Sequence, residues 1–172
     1  VYIFRSPDLY LVLRCGGDIN HSPNGHAHND QLSIELWIKG ECIVPDPGTF
    51  IYTPIPNERN RYRSVKSHFA PQVMHQEPSN LEDGLFTLHH KTQAECLYFG
   101  KRGFIGRHKG FGPWVWRAIF FEKENLTILD RIDSKNYDLV PSLDVVATLP
   151  HFSPGYGMQN QEDGNIWFRK ID

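Results

Sequence analysis

One stretch of eight residues, 31–38, restricts the folds open to this chain more than any other. Apolar side chains occupy every second position of this stretch: Leu32, Ile34, Leu36 and Ile38. Ser33, Glu35 and Trp37 lie between them. Because successive side chains of an extended backbone point to opposite sides, the alternation predicts a half-buried antiparallel strand.

Further β-prone runs lie between turns rich in Gly, Pro, Asn and Asp. They occur at 1–5, 9–15, 42–44, 85–90, 94–99, 103–109, 114–122 and 126–133, with weaker ones at 144–149 and 166–169. Four prolines between 45 and 60 exclude one regular element there, and no helix-period segment of useful length stands out. We therefore predict an all-β fold, an antiparallel two-sheet β-sandwich, as a single domain over 1–172.

The composition excludes some classes of function. Eighteen basic and twenty acidic residues give a formal charge of −2, so no global field favours nucleic acid. No apolar run approaches the roughly 18 residues that span a bilayer. Cys15, Cys42 and Cys96 are odd in number and lack C-x-x-C spacing, which favours buried free thiols over a disulfide framework.

A group of histidines and one aspartate indicates a candidate metal site. His26 and His28 lie two residues apart, so an extended backbone places both side chains on one side. The 31–38 strand and its return bring Asp46 back towards His28, and His68 borders the next ordered run. Two imidazoles and a carboxylate suit zinc with an open position. The spacing is equally compatible with a histidine-rich surface loop, and Asp46 with an ordinary Asp-Pro-Gly turn.

A basic segment and several aromatic residues have two interpretations each. The segment 59–66 carries four basic residues and no acid: Arg59, Arg61, Arg63 and Lys66. Such a cluster binds carboxylate or sulfate groups, or is a solvated loop. Four aromatic side chains can stack on sugars or belong to the core: Tyr52, Tyr62, Trp114 and Trp116.

Three blocks of sequence follow one another in a characteristic order. They are GHAHNDQLSIEL at 25–36, VPDPGTFIY at 44–52, and RNRYRS at 59–64 with Ser67-His68 just after. Together they resemble the heparinase II/III-like family of polysaccharide lyases, and weaker similarity at Trp116-Arg117 and 126–133 extends the resemblance over most of the chain. It implies a C-terminal β-sandwich domain that normally follows an α/α-toroid domain, in a bacterial periplasmic or secreted enzyme.

The resemblance also implies an activity and roles for individual residues. Members cleave uronic-acid-containing polysaccharides by β-elimination, so an acidic polysaccharide is the expected partner. His26 matches the histidine that faces the catalytic cleft. The implied ligands of a mainly structural zinc ion are His28, Asp46 and His68. The motif positions implied to contact substrate are Tyr52, Arg59 and Arg63.

The toroid domain, which in the family supplies the tyrosine base, is missing from this sequence. We therefore expect the chain alone to be inactive and to be part of a larger lyase. Two alternatives remain: a non-catalytic binding module for acidic carbohydrate, and a stand-alone cupin-like metal enzyme that acts on a small molecule.

Overall fold

The computed structural model describes residues 1–16, 25–89, 92–122, 125–141 and 149–159. Within these ranges the chain forms two four-stranded sheets, each with its strands in sequence order. The first sheet contains β1 (Tyr2–Arg5), β2 (Leu9–Leu13), β3 (Ile34–Ile38) and β4 (Glu41–Val44). The second contains β5 (Glu95–Gly100), β6 (Gly103–His108), β7 (Val115–Glu122) and β8 (Asn125–Ile132). All neighbouring strands are antiparallel, which confirms the all-β prediction.

The main core lies between the sheets and draws on both. Leu11, Leu13, Ile34 and Leu36 of the first sheet are buried, and with them Phe104 and Ile119 of the second. These are the inward positions of each alternating strand, because every second side chain of a strand faces the same side. Both sheets together therefore bury the apolar face that the 31–38 pattern predicts.

Apart from shifts of one or two residues at strand ends, two strand predictions differ from the structure within the described residues. The run 31–38 becomes a strand only from Ile34, because Leu32 has a positive φ of 64° that interrupts the extended backbone. The run 85–90 contains no strand over 85–89, so that prediction is wrong. The carbonyl oxygens of Gly84 and Thr87 there accept hydrogen bonds from the guanidinium of Arg63 instead of pairing with a strand. The predicted strand at 166–169 and most of the one at 144–149 lie outside the described residues.

A short helix connects the sheets and was not predicted. Helix α1 (Pro56–Arg63) begins at a proline, whose fixed φ suits the first turn of a helix, and a 3₁₀ turn follows at Val65–Ser67. Its buried side chains are Arg59, Tyr62 and Arg63. Because two of these three are charged, the segment shows no apolar helical period. No helix in the described part of the chain is long and apolar enough to cross a membrane.

Candidate functional site

Backbone hydrogen bonds bring the first and third sequence blocks together at one end of the first sheet. The amide of Asn29 donates to the carbonyl oxygen of Arg63 at 2.9 Å, which joins the first block to the end of α1. The amide of Ile34, at the start of β3, donates to the carbonyl oxygen of Phe69 at 3.2 Å. These contacts place His28, just before Asn29, close to His68, just before Phe69.

Four polar side chains form a hydrogen-bonded row here, which we call the buried histidine cluster: Arg59, His28, His68 and Asp46. Nη1 of Arg59 lies 3.0 Å from Nε2 of His28, and Nδ1 of His28 lies 3.2 Å from Nε2 of His68. Nδ1 of His68 lies 2.7 Å from Oδ2 of Asp46. Arg59, His28 and His68 are buried, and Asp46 is partly exposed at the far end.

The chemistry of the two ends assigns the protons along the cluster. Arg59 can only donate, so Nε2 of His28 accepts and Nδ1 of His28 carries the proton. His28 then donates to Nε2 of His68, and His68 donates through Nδ1 to the carboxylate of Asp46. Every nitrogen that joins two members of the row therefore has a matching partner when both histidines are neutral.

The electrostatics agree with a neutral His28 and an ionised Asp46. Burial, together with His68 and Arg59, lowers the pKa of His28 to about 3. Although burial alone raises the pKa of Asp46, its contacts with His68 and with the amide of Gly48 bring that pKa below the ordinary value. Burial lowers the pKa of His68, but the Asp46 carboxylate outweighs it and raises this pKa overall.

The cluster matches the predicted zinc ligands only in part. Two nitrogens bound to one tetrahedral zinc at 2.0–2.1 Å lie roughly 3.3–3.4 Å apart, close to the 3.2 Å between Nδ1 of His28 and Nε2 of His68. Asp46 contacts the other ring nitrogen of His68, as a carboxylate that orients a metal-bound histidine does. Accordingly, the described residues contain no group of three or more His, Cys, Asp or Glu side chains that converges on one point. Zinc binding by His28, Asp46 and His68 stays a prediction.

His26 lies apart from His28 in a different environment. It is exposed, and its ring meets Tyr52 edge-on at 5.5 Å and Phe86 at 6.2 Å between centroids. The guanidinium carbon of Arg59 lies 5.0 Å from the centre of the Tyr52 ring. Arg59 therefore belongs to the buried histidine cluster and also lies against the aromatic surface beside His26.

Arg63 is buried, and its guanidinium is bonded to the protein. It donates through Nε to Oδ1 of Asn60 at 2.9 Å and through Nη1 to the carbonyl oxygen of Thr87 at 3.1 Å. Nη2 donates to the carbonyl oxygens of Leu81 and Gly84. These bonds give Arg63 a structural role in holding the loop 81–87, and its predicted contact with substrate stays a prediction.

Three further residues of the site were not predicted from the sequence. Glu77 accepts from the amide of Val65 at 3.0 Å and from Nδ2 of Asn29 at 2.7 Å, so it ties the 3₁₀ turn to the first sequence block. Phe86 and Tyr156 flank Tyr52 on its two sides. All three lie in irregular segments, where no period marks which side chains face the site.

The structure thus defines a two-sheet β domain with a buried histidine cluster beneath an exposed histidine and aromatic rings. The family model "Heparinase II/III-like, C-terminal" matches residues 1–167, so the chain belongs to that family. A comparison with curated proteins gives no match.

Solved structures with the same fold include several lyases. A mutant of the heparan sulfate lyase HepC from Pedobacter heparinus is 24% identical with a TM-score of 0.51, over 72% of this chain and 19% of that one. A structure of heparinase III is 15% identical with a TM-score of 0.53, over 72% and 19%. The BT4657 gene product, also a heparinase III, is 17% identical with a TM-score of 0.50, over 76% and 22%. At these identities the likeness concerns the fold, and the chain spans about a fifth of the length of those proteins.

Proposed function

We propose that this chain is the C-terminal β domain of a polysaccharide lyase that cleaves uronic-acid-containing glycans by β-elimination. The observation that carries the proposal is the exposed His26, held by Tyr52 and Phe86 above the buried Arg59, within a chain of the heparinase II/III-like family. The matching heparan sulfate lyase and heparinase III structures support it through their fold.

The reaction needs groups that an imidazole and a guanidinium can supply. In β-elimination, a base removes the proton next to the uronate carboxylate, a carbon–carbon double bond forms, and the bond to the glycosidic oxygen breaks. The departing oxygen takes up a proton, and positive charge stabilises the carboxylate while the carbanion develops. An exposed imidazole at His26 can accept or donate a proton, and Arg59 supplies positive charge behind Tyr52. The remaining proton-transfer group comes, in this proposal, from an N-terminal toroid domain, so the chain alone is inactive.

The buried histidine cluster has a separate role in the proposal. His28, Asp46 and His68 bind a structural zinc ion, with nitrogen donors from both histidines. Asp46 acts either as a third ligand or as the carboxylate that orients His68. The metal would link the loop before β3 to the loop after α1, and so steady the wall that carries His26. Metal analysis of the purified chain tests this: less than a tenth of an equivalent of zinc, unchanged by His28→Ala, would contradict it.

The experiment for the lyase function uses the full-length protein that contains this chain. The ultraviolet absorbance of the unsaturated uronate product is followed on a heparan-type glycan. We expect His26→Ala to lower the rate by roughly 100-fold or more, because general acid–base groups contribute about that factor. His89→Ala is the matched control, because His89 is exposed and lies outside the site. Equal loss in both variants, or full activity of His26→Ala, would refute the role of His26.

A second function is favoured by the exposed aromatic rings beside His26, which suit a non-catalytic module for acidic carbohydrate. In that case the full-length protein binds the glycan but produces no unsaturated uronate. The same absorbance assay, combined with a binding measurement, therefore separates the two functions.

A further inference from the structure

Three aromatic rings form a row next to His26, and we call this row the aromatic shelf: Phe86, Tyr52 and Tyr156. Tyr52 lies in the middle, with its ring centre 5.7 Å from that of Phe86 and 5.6 Å from that of Tyr156. The planes of both pairs are close to parallel, at 29° and 26°. The outer two rings are substantially exposed, Phe86 at 42% and Tyr156 at 60%.

The three rings come from separate loops: the loops of Tyr52 and Tyr156 are bonded to each other, and the loop of Phe86 packs against the residue before His26. The amide of Gly157 donates to the carbonyl oxygen of Phe50 at 2.7 Å, so the loop of Tyr156 is bonded to the loop of Tyr52. On the other side, Gly25 packs closely on Phe86: a Cβ added to this glycine would meet the carbonyl oxygen of Phe86 at 3.2 Å. The shelf is thus preorganised, which lowers the entropy that a ligand loses on binding.

Exposing a row of aromatic rings to water is unfavourable, and an exposed apolar patch of this kind often marks a binding site. A pyranose ring offers a complementary surface, since one of its faces carries mainly C–H groups. Arg59, the buried cation 5.0 Å from the Tyr52 ring, makes the shelf more favourable for an acidic sugar than for a neutral one. Its Nε has no hydrogen-bond partner among the described residues.

The two ends of the shelf differ in their distance from the proposed chemistry. His26 contacts the rings of Tyr52 and Phe86. At the other end, a pocket of about 210 Å³ opens between Tyr52 and Tyr156 and is bordered by Thr49 and Ser153. This volume lies below the usual range of roughly 300–1,000 Å³ for drug-sized ligands, so it suits a single sugar unit.

We propose that Phe86 and Tyr156 are glycan-binding residues, which with Tyr52 stack successive pyranose rings of an acidic oligosaccharide along the shelf. The inference rests on the proposed lyase function for the position of the cleaved bond, which lies at the Phe86 end beside His26. Tyr156 then holds a sugar further along the chain. Removing the Phe86 ring therefore weakens binding of short and long oligosaccharides alike, whereas removing the Tyr156 ring weakens binding only of longer ones.

The test measures binding of size-defined heparan-derived di-, tetra- and hexasaccharides to this chain by titration calorimetry. We expect Phe86→Ala to weaken binding of every length by about 3- to 10-fold, as for loss of one aromatic contact. Tyr156→Ala should weaken hexasaccharide binding by a similar factor and leave disaccharide binding within twofold. The ring-preserving changes Phe86→Tyr and Tyr156→Phe should stay within twofold at all lengths, which a general loss of folding would not produce.

The matched control is Met158→Ala, because Met158 is 60% exposed in the same loop as Tyr156 but is not part of the shelf. The inference is overturned if both alanine variants bind like the unsubstituted chain, if the ring-preserving variants lose as much as the alanine variants, or if the unsubstituted chain binds none of the oligosaccharides.

The absorbance assay on the full-length protein separates this inference from the proposed function. Oligosaccharide binding that depends on the rings, without an unsaturated product, supports glycan binding by the shelf and refutes the lyase function. An unsaturated product whose formation depends on neither ring supports the lyase and refutes the glycan-binding role of the shelf.

Discussion

Replacing Arg117 by methionine is the most informative single test of how the second sheet supports the site. Arg117 lies on β7, only 1% exposed. It donates through Nε and Nη2 to the two oxygens of Asp130 at 2.8 and 2.7 Å. Through Nη1 it donates to the carbonyl oxygens of Leu32, at 2.8 Å, and Phe69. One guanidinium therefore joins the second sheet to the residue that follows His68 and to the turn before β3.

The expected magnitude follows from what methionine leaves behind. The side chain of methionine fills part of the volume but donates no hydrogen bond, so Asp130 and the carbonyl oxygens of Leu32 and Phe69 lose the hydrogen bonds that Arg117 donates to them. Removing one partner of a buried ion pair costs about 3–5 kcal/mol. The free energy of unfolding of an ordinary domain is about 5–15 kcal/mol. We therefore expect Arg117→Met to remove a large fraction of it.

Equilibrium unfolding in urea measures this change, with the dependence on denaturant as a check that the transition stays two-state. Arg131→Met is the matched control, because Arg131 pairs with Asp133 on the surface with 77% of its side chain exposed, and such pairs contribute about 0–1 kcal/mol. The double variant Arg117→Met/Asp130→Leu should recover part of the loss, since it removes both charges. A loss below about 1 kcal/mol for Arg117→Met, or a double variant less stable than the single one, would refute the reasoning.

Two further predictions concern titration and metal binding. Burial, with a smaller contribution from Arg117, lowers the pKa of His108 to about 4, so the unfolded chain binds a proton at a pH where the folded chain does not. Stability should therefore fall by roughly 3 kcal/mol between pH 6.5 and 4, and urea titrations should show a shallower fall for His108→Gln; parallel curves would contradict this. For zinc, Asp46→Asn should weaken affinity by about 10–100-fold if Asp46 only orients His68, and abolish binding at equimolar metal if it is a ligand. Competition with a chelator separates these outcomes, and unchanged affinity would exclude both roles.

The strands were predictable because their signal is local. Alternation along 31–38, the β-prone composition of the other runs and the turn residues between them are all properties of neighbouring residues, and they predict the strands of both sheets. Helix α1 and the loop 81–89 depend instead on contacts between segments. Arg63 at the end of α1 donates hydrogen bonds to the carbonyl oxygens of residues 81, 84 and 87. No sequence pattern in either segment predicts this contact.

The candidate site divides in the same way. The sequence blocks indicate one group of site residues: His26, His28, Asp46 and His68. The structure brings the last three into one hydrogen-bonded row. Which nitrogen faces which oxygen depends on rotamers that spacing does not determine. The outer rings of the aromatic shelf escaped prediction because their positions depend on loop contacts, such as the amide of Gly157 on the carbonyl oxygen of Phe50.

The proton arrangement of the buried histidine cluster constrains how zinc and Arg59 can coexist. A metal on Nδ1 of His28 would take the lone pair there, so the proton of the neutral ring would have to lie on Nε2. That nitrogen lies 3.0 Å from Nη1 of Arg59, which can only donate, and two donors cannot share a hydrogen bond. The hydroxyl of Thr49, 3.5 Å from the same nitrogen, is able to accept instead. Zinc bound at Nδ1 of His28 would therefore exclude the Arg59–His28 hydrogen bond and would free Nη1 of Arg59 beside the Tyr52 ring. A structural zinc ion would in this way change which hydrogen bonds Arg59 donates beneath the aromatic shelf, while the charge of Arg59 stays the same.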